Sequence, residues 1–484
     1  MQLFAWVTPN AASFPLLPLA PMSSPEQPTI SSVQQGRLAL AVGSMDLKSA
    51  VLRREANSRP PSPSFLAPTA LKAFLAATLG YSLFYICRLS LSVVKGPLIT
   101  EGLFTEFQLG LIGSALFYSY SVGKLVNGFL ADRVNVRKFA SFGLLISALI
   151  NFALGFHAGF FLFFILWMIN GWVQSIGAPA FIIGLTRWFS VKERGTYYGY
   201  WSASHNIGEG MTFVLTSIVV TSLGWRLGWW LSAALGFVGI LLIWFFFREN
   251  PRYSASAPEF GAEPEAETGD SKEAHSRLLR NPMVWLISLA SMFMYISRYS
   301  VNSWGIFFLE KSKSYSIEEA SMIVSVGSIF GVVGTVASGW VSDKFFNGDR
   351  AVPTILMGIL NMLSLALFVL TPHLLAVDIG CMVCFGISIG ALICYLGGLM
   401  AVDIANKGAT GAALGIVGMA SYAGAGTQDI VSGYLIGANK STVHGVYLYD
   451  FLPMGIFWIA CAAFSVLMST LAWRLQRRKL ALPR

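Results

Sequence analysis

Two arginines lie where a long apolar sequence has little room for charge. Arg88 sits inside GYSLFYICRLSLS and Arg298 inside FMYISRYSVNSWG, each three residues after a tyrosine, Tyr85 and Tyr295. Near the centre of a membrane helix each arginine costs about 2.5–3.5 kcal/mol on insertion scales. That cost is offset when one anion neutralises the pair. The planar guanidinium suits a phosphate, which it grips through two parallel donors. Lys124 adds a third cation, on one helix face with Tyr120 and Asn127. The stretch WSASHNIGEG, from Trp201 to Gly210, brings His205, Asn206 and Glu209 within five residues. A neutral His205 donates to a phosphate oxygen; a charged one titrates in the same range as a phosphate monoester's second ionisation. Glu209, one turn further on the same face, has three open roles: holding His205 charged, accepting from Lys124, or receiving a substrate hydroxyl. A structural alternative is open as well. A membrane arginine can pair with an internal acid or snorkel to the interface, and a histidine can be a satisfied packing residue.

The composition says what must surround these groups. The chain has 484 residues, of which 55% are hydrophobic and only 12% charged, with a mean hydropathy of +0.62. A soluble domain carries roughly a quarter charged residues, so this is a polytopic membrane protein. Its net charge of +9 is then a signature of loops kept on the cytoplasmic side, not of nucleic-acid binding. Cys87, Cys381, Cys384, Cys394 and Cys461 all fall in apolar runs and read as packing residues without a disulfide framework or metal site. No nucleophile–base set, metal cluster or nucleotide loop appears, so no enzyme activity, metal or cofactor is expected.

Residues 1–65 are rich in Ser, Pro and Ala and contain NSRPPSPSF, which cannot be helical. They read as a disordered leader: either an organelle transit peptide, or a stretch upstream of a true start at Met45. After it come twelve apolar segments, each near the 20 residues a membrane helix needs, at about 69–96, 106–131, 138–157, 160–187, 195–223, 226–247, 282–309, 317–342, 352–371, 374–404, 409–436 and 450–474. They group into a six-helix half over 66–248, a polar linker over 249–281, a second half over 282–476 and a basic tail over 477–484. Lys and Arg concentrate in the loops after even-numbered segments and in the tail, which puts both termini on the cytoplasmic side.

The halves repeat. GFLADRVNVRK follows segment 2 and GWVSDKFFNGDR follows segment 8, so Gly128, Asp132 and Arg133 correspond to Gly339, Asp343 and Lys344. The acid and base are expected to pair, and the glycine to permit close helix contact. Arg88 precedes Asp132 by 44 residues and Arg298 precedes Asp343 by 45. The arginines are therefore repeat-equivalent and can meet across the central axis, at a midplane site between the halves.

The doubled loop motif resembles the signature of the major facilitator superfamily. Within it, RGTYYGYWSASHNIGEG is similar to the fifth-helix signature of the organophosphate:phosphate antiporter family: Arg-Gly, five residues, then Trp-Asn-x-x-His-Asn-aliphatic-Gly-Gly. Arg194, Gly195, Trp201, His205, Asn206, Ile207 and Gly208 match; Ser202 and Glu209 depart from it. The resemblance runs from about Tyr81 to Tyr434. It implies an all-α membrane protein, a twelve-helix bundle of two pseudo-symmetric six-helix halves. It implies that Arg88 and Arg298 bind phosphate, that Lys124 and His205 join them, and that Tyr81, Tyr85, Tyr120, Tyr295 and Tyr422 line the cavity. RYSVNSWGIFFLEK and GAGTQDIVSGYLI look most like the hexose-phosphate branch, which implies exchange of glucose 6-phosphate for inorganic phosphate by a monomer. The acid at Glu209 has no counterpart in glycerol-phosphate carriers, so their proton scheme is not carried over. Sensors of hexose phosphate share the same helices, and carriers of other esters such as glycerol 3-phosphate share the same site; both remain open. The host membrane is a bacterial inner membrane, or a plastid envelope if the leader is a transit peptide.

Three further features are assigned from the residues. Gln428 and Asp429, polar groups inside segment 11, are expected either to accept sugar hydroxyls or to join helices. Trp201 is expected near the cavity, where it can stack on a sugar. Asp403 and Lys407 are expected to form an interfacial salt bridge. An unloaded site with uncompensated positive charge would resist closing, so loading with an anion is expected to precede each crossing.

Overall fold

An apolar segment in a bilayer finds no water for its N–H and C=O groups, so it closes its hydrogen bonds within itself as a helix. The computed structural model describes residues 68–156, 159–189, 194–248, 271–404, 410–444 and 446–481. Among them run twelve long helices. The first half has α1 (Pro68–Thr100), α2 (Glu106–Ala131), α3 (Val136–Leu154), α4 (Phe160–Thr186), α5 (Arg194–Leu223) and α6 (Trp225–Phe246). A short helix, Ser271–Arg280, precedes the second half: α7 (Pro282–Lys313), α8 (Ile317–Phe345), α9 (Ala351–Leu370), α10 (Leu375–Ile404), α11 (Thr410–Ala438) and α12 (Leu452–Ala481). Eleven are long and apolar enough to cross a membrane. The exception is α11, which carries Ser421, Gln428, Asp429 and Ser432, all buried. The leader 1–65, residues 249–270 of the linker and the last three residues of the tail lie outside the described residues.

The expected spans hold, with local departures that have physical causes. Helix α4 is interrupted at Ser175–Ile176 and resumes at Gly177, so Pro179 falls in a first turn, where its missing N–H costs little. Helix α10 passes through a π turn at Tyr395–Leu399, YLGGL, whose paired glycines tolerate the wider winding. Helices α1 and α7 run several residues past the expected ends at 96 and 309. In the extension of α7, Lys313 is buried and paired with Asp378 of α10 at 2.5 Å, while Thr100 and Ser312 are exposed. An antiparallel hairpin of β1 (Lys440–Val443) and β2 (Val446–Tyr449), not anticipated from the sequence, joins α11 to α12.

Both halves start their second helix with the same device. Thr105 and Gln108 form a capping box on α2, and Ser316 and Glu319 form one on α8, two donors satisfied reciprocally each time. Two seams join the halves, α2 along α11 and α5 along α8. The first depends on glycine. A Cβ on Gly433 would lie 2.6 Å from the Glu106 carbonyl oxygen, and one on Gly110 would lie 2.5 Å from the Asp429 carbonyl oxygen. Bare backbones let the helices approach, as small residues do throughout membrane bundles. The loop-motif glycines do not work this way: nothing lies within 4 Å of a Cβ built on Gly128 or Gly339. The expectation of close helix contact at those two positions is therefore corrected. Asp132, Arg133, Asp343 and Lys344 are all exposed, and no ion pair forms within either motif; instead the Lys344 Nζ lies 4.9 Å from the Trp340 ring centre.

A Gly433→Leu protein is expected to melt well below the parent in detergent, because it wedges the α2–α11 seam. Gly128→Leu is expected to melt with the parent. Equal melting of Gly433→Leu and the parent would contradict the seam.

Candidate functional site

The two arginines are anchored from behind by the same architecture. In the first half Asn151 of α3 donates through Nδ2 to the Cys87 carbonyl at 2.9 Å and accepts from Ser90 Oγ at 3.0 Å. In the second half Ser297 donates to Asn361 Oδ1 of α9 at 2.9 Å. The offset is constant: 298 − 88, 297 − 87 and 361 − 151 all equal 210. Each buried asparagine thus engages the residue just before an arginine and fixes the rotation of that helix, and with it the direction in which the arginine projects. The sequence reading missed this pair. The repeat offset is the signal that finds it.

Arg88 and Arg298 are each 3% exposed, and they converge on Tyr299. Arg88 Nη2 donates to Tyr299 Oη at 3.3 Å, and the Arg298 guanidinium lies 5.3 Å from the Tyr299 ring centre. Their other surroundings differ. Arg88 is caged by π-faces, with ring centres at 4.2 Å for Tyr120, 5.2 Å for Tyr85 and 5.3 Å for Tyr422. Each such contact is worth about 0.5–2 kcal/mol according to desolvation. Arg88 has no ion pair among the described residues, and its buried Nε has no hydrogen-bond partner there. Arg298 instead donates through Nη2 to Glu209 Oε2 at 3.0 Å, and Ser328 of α8 donates to Glu209 Oε1 at 2.8 Å. Of the three open roles for Glu209, none is taken; it is the counter-ion of Arg298, across the boundary between the halves. One of the two arginines therefore has its internal acid.

The remaining candidates are distributed around this centre. Lys124 is half-buried, its Nζ 5.4 Å from the Tyr422 ring centre and close against Gly418 of α11. His205 is half-buried, 6.0 Å ring to ring from Tyr85, and its Nε2 is buried without a partner. Tyr120 and Tyr422 meet across the halves at 4.3 Å, and Tyr295 lies 5.4 Å from Tyr422. Tyr81 is set back, 5.5 Å from Tyr85 and 4.8 Å from Trp201. A small cavity lined by Asn206, Glu209, Arg298, Asn302 and Ser328, with apolar walls from α7, α8 and α10, has room for about one water molecule. The site is closed tightly around its charges.

Three other candidates bond to partners away from the two arginines. Gln428 points away from the site: it donates to Ser432 Oγ at 3.0 Å, which also accepts from the Trp458 indole at 2.9 Å. Ser432 thus joins α11 to α12, while the buried Gln428 Oε1 has no hydrogen-bond partner among the described residues. Trp201 is 3% exposed and donates to the Ala77 carbonyl at 3.4 Å, so it packs within the first half. Asp403 pairs with Arg350 at 3.2 Å, while Lys407 lies outside the described residues.

Asp429 is buried and already paired, with a residue the sequence reading passed over. Lys95, fully buried on α1, donates to Asp429 Oδ1 at 2.9 Å and to Ser303 Oγ at 2.6 Å, and its Nζ sits 3.8 Å above the Trp304 ring. Ser303 donates to the same Asp429 oxygen at 2.6 Å. Two turns from Arg88 and toward the end opposite the basic loops, this cluster ties α1 to α7 and α11. At that same end Glu106 of α2 takes Lys440 at 2.8 Å and the Tyr449 hydroxyl at 2.8 Å. Burial, and then Glu106 beside it, hold the Tyr449 hydroxyl well above its usual pKa, so it remains a donor. Both pairs join the halves. On the basic-loop side of Arg298, no ion pair among the described residues does so.

Twelve long helices in two repeating halves, eleven of them long and apolar enough to cross a membrane, closed around buried charge at their common boundary, define a membrane carrier fold. The chain belongs to the Major Facilitator Superfamily, whose family model matches residues 65–427, and within it to the organophosphate:phosphate antiporter branch. It is 30% identical over 434 residues to the "Probable hexose phosphate transport protein" of Chlamydia pneumoniae, covering 83% of this chain and 91% of that one. It is also 30% identical to the "Membrane sensor protein UhpC" of Salmonella typhimurium, covering 72% and 81%. Among solved structures it is similar in fold to a bacterial homologue of the human lysosomal transporter Spinster, in an inward-facing, unoccupied conformation. The TM-score there is 0.69 at 19% identity, covering 84% of this chain and 98% of that one.

Lys95→Met and Asp429→Asn each strand a buried charge and are expected to cost about 3–5 kcal/mol. The double variant is expected to cost less than their sum. Thermal unfolding of the four proteins checks this; strict additivity would mean the two side chains are not coupled.

Proposed function

We propose that the chain exchanges a hexose phosphate, with glucose 6-phosphate the leading substrate, for inorganic phosphate by alternating access. The observation that carries this reading is the convergence on Tyr299 of two repeat-equivalent, fully enclosed arginines, one of them without a carboxylate. Arg88 and Lys124 supply two cations without an ion pair among the described residues, which suits a dianion. The guanidinium forks suit the phosphate, and the tyrosine cage gives the sugar aromatic faces and hydroxyls. The relative from Chlamydia pneumoniae, named for hexose phosphate, supports the substrate class.

The chain acts as a monomer, with the halves 66–248 and 282–476 rocking about the site. Its termini and basic loops face the cytoplasm, because Lys and Arg gather in the loops at that end. The membrane is a bacterial inner membrane or a plastid envelope. The charge argument for obligatory exchange is narrower than the sequence alone implied. Glu209 neutralises Arg298 in the unloaded site, which leaves Arg88 and Lys124 to resist closing without an anion.

A second reading, a sensor of hexose phosphate, is favoured by the equal identity to the UhpC protein. One assay separates the two. In proteoliposomes loaded with phosphate, external labelled glucose 6-phosphate is expected to enter only against internal phosphate. Arg88→Lys, which keeps the charge and loses the fork, is expected to lower uptake by at least about tenfold. Ligand binding without uptake of any phosphate ester would overturn the antiporter in favour of the sensor.

A further inference from the structure

We propose that Glu209 is the proton-carrying group of this site: a phosphate dianion displaces its carboxylate from Arg298, and the freed carboxylate takes up one proton from the water the site faces. The proposal rests on the phosphate-ester reading above and adds a chemical step to it.

The geometry supplies the conflict that the proton resolves. Arg298 Nη2 and Glu209 Oε2 stand 3.0 Å apart, with side chains 4% and 5% exposed. Glu209 also lines the small cavity beside Arg298, together with Asn206, Asn302 and Ser328. A phosphate that reaches Arg298 therefore meets the Glu209 carboxylate at the same face. Two anions cannot share one buried guanidinium without strong repulsion, and a buried carboxylate stripped of its cation favours its neutral form.

The surroundings offer the displaced carboxylate little else. From α8 it has the neutral Ser328 hydroxyl. Helix α10 contributes Phe385, Gly386 and Ile389 to the cavity wall, none of them ionisable. Helices α1 and α7 present the hydroxyls of Tyr85, Tyr295 and Tyr299 together with Arg88, and Arg88 would be holding the same phosphate. On α5 itself His205 lies one turn earlier, with its Nε2 unpartnered. It is the one other group on that face able to take the proton. In the neutral state Glu209 keeps a partner, because its carbonyl oxygen still accepts from Ser328 while its new O–H can donate to the phosphate. No bond other than the O–H forms or breaks. Re-pairing with Arg298 after the dianion departs releases the proton to the water then facing the site.

The test uses the purified full chain and glucose 6-phosphate near pH 7.5, where a phosphate monoester is essentially a dianion. Titration calorimetry in two buffers of different ionisation heat counts protons. The wild type is expected to take up about one proton per ligand bound, and its affinity to fall by up to about tenfold per pH unit above neutrality. The sign follows from the uptake: binding that consumes a proton weakens as protons become scarce. Glu209→Gln is expected to bind without proton uptake and with an affinity flat over that range. Glu209→Asp, which keeps the titrating group, is expected to retain the uptake. Binding of glucose 6-phosphate by the wild type with no proton uptake would overturn the proposal, the phosphate then resting on Arg88 and Lys124 with the ion pair intact. Uptake that survives Glu209→Gln and disappears in His205→Gln would overturn it in favour of His205. No binding of glucose 6-phosphate or inorganic phosphate by the wild type would instead overturn the phosphate-ester reading, and the proton step with it.

Discussion

An ionised side chain inside a membrane bundle has no water to turn to, and its partner must be built into the bundle. In this protein that requirement organises the boundary between the halves. Arg298 on α7 takes Glu209 from α5, and Lys95 on α1 takes Asp429 from α11. At one end Glu106 on α2 takes Lys440 from the hairpin. Each pair crosses from one half to the other, so satisfying the charges and holding the halves together are one event. Arg88 differs: it is surrounded by aromatic faces and a tyrosine hydroxyl, with no ion pair among the described residues. Cation–π contacts moderate its burial without neutralising it.

The placement of the pairs gives the site a direction. Lys95–Asp429 and Glu106–Lys440 lie on the side away from the basic loops, where glycines also bring α2 and α11 into backbone contact. A buried, hydrogen-bonded pair resists separation, since opening it exposes two charges at once. The end carrying Asp132 and Asp343 has no such tie among the described residues. The bundle is therefore held more firmly at one end than at the other, with the arginines between. Behind the arginines, Asn151 and Asn361 keep both helices in rotational register, so the centre is positioned by rigid elements and not by loops.

Much of this was legible in the sequence, for reasons that differ by feature. The spans show because lipid demands about 20 apolar residues from each. The arginine pair shows because a charge in such a span is rare, and the repeat gives it a mirror. The loop motif located the repeat, yet no atom lies within 4 Å of a Cβ built on either glycine and its acids are exposed, so pattern outran packing there. Lys95 was passed over because α1 was expected to end beside it; the helix continues to Thr100, and the lysine becomes interior. The partner of Glu209 lies 89 residues away in the other half, a distance at which spacing on one helix says nothing. Gln428 and Asp429 are neighbours in sequence but take different partners, Ser432 on the same helix and Lys95 of α1, which helical geometry separates and composition does not. The β1–β2 hairpin is too short to stand out from a loop.

In the proposed mechanism a phosphate group competes with Glu209 for Arg298. The most direct measurement is a structure of the protein with glucose 6-phosphate bound. Phosphate oxygens are expected within hydrogen-bond distance of both Arg88 and Arg298, with the Glu209 carboxylate no longer paired to Arg298. A phosphate seated elsewhere, or seated on Arg88 with the 3.0 Å Arg298–Glu209 contact unchanged, would contradict it.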